Sequence, residues 1–72
     1  MASKLKKQFG KRVRELRQAK GFSSQEAFGD RCGFDRTYIS GIERGVRNPS
    51  LDAIEVLAKT LGVKVAALFD GC

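Results

Sequence analysis

Apolar residues recur along the chain at helical spacing in successive stretches, and glycines punctuate them. Leu5, Phe9, Val13 and Leu16 are spaced 4, 4 and 3. That spacing places them on one face of a helix from about Ser3 to Lys20, which Gly21 ends. A second helix opens at Ser23-Ser24-Gln25-Glu26, where Ser23 and Glu26 stand at capping-box spacing. It carries Ala27, Phe28 and Cys32 and stops at Gly33. Asp35 suits the N-cap of a third helix, which runs to Arg44 with Tyr38, Ile39 and Ile42 as its apolar positions. Ser50 caps a fourth, whose stripe is Leu51, Ile54, Leu57, Ala58 and Leu61, and Gly62 closes it. Lys64 to Phe69 reads as a short fifth. No strand pattern competes, so the expected fold class is all-α, with five helices. Only Gly33 and Phe34 separate the second helix from Asp35, so these two short helices must cross steeply.

The chain has 72 residues. That is enough for one domain, spanning residues 1–72, and too little for a second core. Histidine is absent, which removes imidazole acid–base chemistry and histidine-ligated metal sites. Cys32 and Cys72 lie far apart without further ligands, so no zinc pattern exists and no metal is expected. Cys32 reads as a small buried hydrophobe. The longest apolar run, Val65 to Phe69, is too short to span a membrane, and no apolar signal segment follows Met1. The expected location is the cytoplasm.

Net charge is +6, and its distribution is uneven. Residues 1–20 hold eight Lys and Arg against Glu15 alone. Residues 21–48 hold four basic and four acidic residues, and residues 49–72 hold two basic and three acidic. A basic balance of this size favours a polyanionic partner. A solvated face, or a basic helix lying on an acidic membrane, would share that charge. The later amphipathic segments, which need the first helix's apolar face as core, weigh against the membrane.

The run from Gln25 to Arg44 strongly resembles a helix-turn-helix. Counting from Gln25, a small residue falls fifth (Gly29), a glycine ninth (Gly33), and aliphatics fifteenth and eighteenth (Ile39, Ile42). Gly29 allows the second helix to approach the third, Gly33 takes the left-handed turn without a Cβ clash, and the two isoleucines face the core. The wider order is similar to the Cro/repressor-type helix-turn-helix family over roughly residues 5–69: Gly21, Gln25-Glu26, Arg36 to Gly45, Asn48-Pro49, Ser50-Leu51 and Leu61-Gly62-Val63. The Arg-Thr-Tyr-Ile-Ser run makes it especially similar to controller proteins of restriction–modification systems. Phage repressors are close rivals, as is the antitoxin subunit of a toxin–antitoxin pair. That family usually has Ala where Gly29 stands, and Gly there should cost about 1 kcal/mol of helix stability.

The resemblance implies a lambda-repressor-like domain whose third helix enters the major groove of double-stranded DNA. Arg36, Thr37 and Ser40 are then the base-contacting residues, since Arg suits guanine and Thr or Ser can bond a base edge. Gly41 offers no side chain, which shifts weight to DNA shape. Gln25, Tyr38, Arg44, Arg47 and Asn48 are the expected phosphate contacts, Gln25 through the N-terminus of its helix. Arg17 and Glu43 match the positions of a buried ion pair in similar domains. A single such unit reads few base pairs, so a homodimer on a palindromic operator is expected. Its interface is assigned to the apolar C-terminal end, Val63, Val65, Leu68 and Phe69. An enzyme is not expected, because the acids stand on this scaffold without a nucleophile–base pair. No cofactor or small-molecule effector is expected either.

Overall fold

In a computed structural model, residues 3–72 are described, and they form five helices. These are α1 (Lys4–Lys20), α2 (Gln25–Cys32), α3 (Arg36–Glu43), α4 (Leu51–Leu61) and α5 (Val65–Leu68). α3 packs against both α1 and α2, while α4 and α5 close the remaining side. The core is built from Phe9, Val13, Phe28, Ile39, Ile42, Ile54, Leu57, Ala58, Leu61 and Leu68.

Local chemistry sets the boundaries. Ser3, Ser24, Asp35 and Ser50 are the N-caps of α1 to α4, each accepting a backbone N–H through its side chain. α2 is therefore capped by Ser24 and not by Ser23. The Ser24 hydroxyl accepts from Ala27 N at 3.0 Å, which puts Ala27 where a capping box would need a Glu or Gln. Gly33 ends α2 in the left-handed conformation, φ 82°. Phe34 N then bonds Gly29 O at 2.8 Å, folding the chain back towards α3.

Three expected apolar assignments change. Leu5 is 54% exposed and Leu51 is 83% exposed; each sits on the first turn of its helix, at the rim of an open hollow rather than in the core. Leu68 is fully buried. It plugs the core beneath α4 and so cannot serve as an interface residue. Phe69 turns inward too, its ring 4.9 Å from that of Phe9. Burying Leu68 contributes about 1.5–3 kcal/mol to holding the four-residue α5 on the domain. Arg12 adds an anchor, its Nε donating to Ala67 O at 2.8 Å.

The helix-turn-helix is held to α1 through glycine. A Cβ at Gly10 would lie 2.7 Å from Glu43 O and 2.9 Å from Glu43 C, and closer still to Ile42 O. Glycine in the middle of a long helix is costly, and here it allows α1 to touch the backbone of α3. Gly29 has a similar reason: a Cβ there would fall 2.6 Å from Phe34 O. The alanine usual at that position does not fit this turn without a shift.

Gly10→Ala is expected to lower stability by about 1–3 kcal/mol, although alanine is the better helix former. Thermal unfolding checks this, and a melting temperature at or above that of the parent would show that the α1–α3 contact is not as tight as described.

Candidate nucleic-acid interface

α3 has two faces of opposite character. Ile39 and Ile42 are buried, and they fix the helix's rotation about its axis. Arg36, Thr37 and Arg44 are exposed and Ser40 is half-buried. The spacing of these four puts them on the side opposite the isoleucines. The structure thus brings the three expected base-contacting residues onto one outward stripe. Thr37 is partly engaged there: its hydroxyl donates to the Asp35 carboxylate, which also accepts from Thr37 N at 3.2 Å. Its methyl group and the hydroxyl lone pairs stay available. Those bonds from Thr37, side chain first, hold the Asp35 carboxyl below its usual pKa.

The rotation is locked by a buried ion pair. Arg17 and Glu43 are brought together, with Nε 2.7 Å from Oε2 and Nη2 3.2 Å from Oε1. Their side chains are only 5% and 3% exposed. Arg17 Nη1 donates to Phe22 O at 2.8 Å, and Gln25 Nε2 donates to Glu43 Oε1 at 3.0 Å. No buried side-chain nitrogen or oxygen among the described residues lacks a partner. Each charge therefore keeps the hydrogen bonds that offset its desolvation.

Gln25 was expected to meet phosphate through the N-terminus of its helix, while its side-chain amide donates to Glu43 Oε1. What the start of α2 still offers an anion is its backbone N–H groups and positive dipole end.

The remaining expected contacts lie beside the outward stripe. Arg44 is exposed at the C-cap of α3, and Arg47 and Asn48 are exposed in the loop that follows. Tyr38 is half-buried, meeting the Phe34 ring edge-on at 5.1 Å. Arg47 lies over the Tyr38 ring, Cζ 5.5 Å from its centroid. Lys6, Asn48 and Pro49 line one shallow hollow of about 110 Å³ with Leu5, Phe9 and Phe69. The chain after α3 thus sits beside the basic start of α1. Sequence reasoning missed the Gln25–Glu43 bond and the seat that Gly41 provides for Arg47. Gly41 is itself buried, so it does not thin out the outward face as expected. A glycine inside so short a helix was the available signal.

Of the C-terminal residues assigned to an interface, Val65 is 41% exposed, while Val63 and Phe69 pack partly against the core. Val65 shares an open hollow with Leu51, Asp52, Ile54 and Glu55. Among the described residues no group of three or more His, Cys, Asp or Glu is placed to hold a metal. No helix among them is long and apolar enough to cross a membrane.

Comparison with known proteins decides the family. A model of the helix-turn-helix domain matches residues 8–69. The chain belongs to that family. Control protein C.BamHI of Bacillus amyloliquefaciens is 47% identical to this helix-turn-helix chain over 70 residues, covering 97% of the chain and 86% of the relative. The solved restriction–modification controller protein C.AhdI from Aeromonas hydrophila is 49% identical, with a TM-score of 0.83 over 88% of this chain and 94% of that one. The controller protein C.Esp1396I, solved as a tetramer in complex with its natural 35 base-pair operator, is 35% identical, with a TM-score of 0.81 over 94% of this chain and 88% of that one. The helix-turn-helix chain is thus similar to restriction–modification controller proteins along nearly its whole length.

Two outcomes follow from the site. Glu43→Ala leaves the Arg17 guanidinium buried without its counter-charge, and a denaturant melt should show a loss of about 3–5 kcal/mol. An unchanged melt would remove the pair from the list of what holds α3. The second concerns Asp35, whose folded-state pKa lies below its unfolded value. Its contribution is present above the unfolded pKa and is lost as pH falls through the folded one. Asp35→Asn keeps a cap that does not titrate, so it should flatten the acid limb of a stability–pH curve. Parallel acid limbs for variant and parent would contradict the assignment.

Proposed function

We propose that this protein is a sequence-specific DNA-binding regulator of transcription, a restriction–modification controller protein that binds a palindromic operator as a homodimer in the cytoplasm. One observation carries the reading. α3 presents Arg36, Thr37, Ser40 and Arg44 outward, while its other side is fixed by two isoleucines and a buried ion pair. Such a helix enters the major groove as a rigid probe. Arg36 reads guanine, and Thr37 and Ser40 contact neighbouring base edges. Arg44, Arg47, Asn48, the Tyr38 hydroxyl and the backbone at the start of α2 hold phosphates.

Size argues for two copies. The Cα trace measures 28 × 23 × 21 Å, whereas successive major-groove faces of DNA are about 34 Å apart. One copy presents α3 to one groove only. The second copy docks on the open hollow around Leu51 and Val65. Leu51 is the most exposed large hydrophobic side chain among the described residues, and no DNA-facing residue is used there. This revises the expected interface: Val65 stays, Leu51 joins it, and Leu68 leaves it for the core.

Selection of bound duplexes from a random pool is the test, and it should return a motif with two-fold symmetry. Arg36→Ala should relax the base preference at one position and cost about 1–3 kcal/mol, and Arg44→Ala should weaken all sequences evenly and lower the salt slope by about one. An unaltered ranking of operator variants after Arg36→Ala would refute the base-reading role. Leu51→Asp should shift sedimentation at tens of micromolar from dimer to monomer. A parent protein that is monomeric there, with an asymmetric selected motif, would overturn the dimer.

A further inference from the structure

Arg47 does not project freely from its loop. Its stem lies across Gly41, whose missing Cβ is the space it occupies. A Cβ at Gly41 would lie 3.1 Å from Arg47 Nε and 3.3 Å from Cδ, and closer still to Cγ. The backbone holds the same arrangement, because Val46 N and Arg47 N both donate to Gly41 O, at 3.0 and 3.2 Å. Beyond Gly41 the guanidinium reaches the Tyr38 ring, and that ring is braced by Phe34 from the turn before α3. The result is a continuous row along the flank of α3: Phe34, Tyr38, then the Arg47 guanidinium, with Gly41 as the floor.

We infer that Gly41 is a positioning residue for DNA recognition: it seats Arg47 on Tyr38 so that the loop guanidinium is held in place beside the outward stripe before DNA arrives. The inference rests on the DNA-binding reading above and assigns a role within it to a residue that touches no DNA. An arginine ordered in advance loses less side-chain freedom on binding than a free one. A planar guanidinium stacks on a ring and still presents N–H groups at its edge, whereas an ammonium does not. The seat also gives Arg47 a fixed height relative to Arg36 and Ser40, since all are referred to the same eight-residue helix.

Gly41→Ala separates positioning from folding. The obstructing atoms belong to a flexible, exposed side chain, so Arg47 swings away while α3 stays formed, and the melting temperature should not fall. In the free protein, the Arg47 side-chain protons should show upfield ring-current shifts from Tyr38, the only tyrosine, with no tryptophan present to confuse the assignment. Gly41→Ala should abolish those shifts and weaken binding to the selected operator about tenfold. In an Arg47→Ala background it should add no further loss. Arg47→Lys, an exposed conservative change that keeps the charge, should weaken binding to a similar degree. Ring-current shifts that survive Gly41→Ala would overturn the seat. Parent-like binding by Gly41→Ala or by Arg47→Lys would overturn its role in recognition. Failure of the parent protein to select any duplex would instead overturn the DNA-binding reading, and the ring-current measurement on the free protein is independent of that result.

Discussion

The Arg17–Glu43 pair is the constraint on which the rest of the arrangement depends. It joins four segments with two side chains: α1 supplies the guanidinium, α3 the carboxylate, the turn after α1 the Phe22 carbonyl, and α2 the Gln25 amide. A charge removed from water is tolerated only if its hydrogen-bonding positions are filled, so these contacts stand or fall together. The two bonds between the guanidinium and the carboxylate also fix direction, since a fork meeting a fork admits one orientation. An apolar pair of equal volume would hold the helices together without specifying the rotation of α3. With the ion pair, Ile39 and Ile42 face inward and Arg36 and Ser40 face outward as one consequence.

The pair can form only because the helices come close. Gly10 brings the α1 backbone against the carbonyls of Ile42 and Glu43, and a Cβ at Gly45 would lie 2.8 Å from Lys7 Cα. α1 therefore touches the end of α3 and the residue just beyond it at two glycines, Gly10 and Gly45. A domain of 72 residues has few large side chains to fill a gap between helices. Backbone contact at glycine replaces the layer of side chains it lacks, and the loss of helix propensity at Gly10 is the cost of that closeness.

This division explains what was legible from residues alone. Helix order, the glycine stops at Gly21, Gly33 and Gly62 and the third helix's inward isoleucines follow from spacing and capping chemistry, which act within a few residues. The Arg17–Glu43 pair came from likeness to a family, because no local rule links positions so far apart. Ser23 against Ser24 could not be settled by spacing, since both serines precede the same helix and only the first bonded N–H distinguishes them. Leu5 and Leu51 carried the helical period yet face solvent, because periodicity says which side of a helix they occupy and not whether another element extends over that turn. Gly41 illustrates the same limit for the site. Its missing side chain read as one contact fewer, and its meaning appears only when a residue six positions later lies across it.

Formal charge is misleading for the same reason. Residues 21–48 balance four basic against four acidic groups, yet the face they build is positive. Glu43 is turned inward and neutralised by an arginine from α1, whereas the exposed Asp35 carboxylate keeps its charge at the start of α3. Arg36, Arg44 and Arg47 have no ion-pair partner among the described residues. The fold thus withdraws one carboxylate, Glu43, from α3 and leaves guanidiniums on and beside one helix face. Positive potential concentrated in that way attracts a polyanion from a distance, which supports the proposed approach of α3 to DNA.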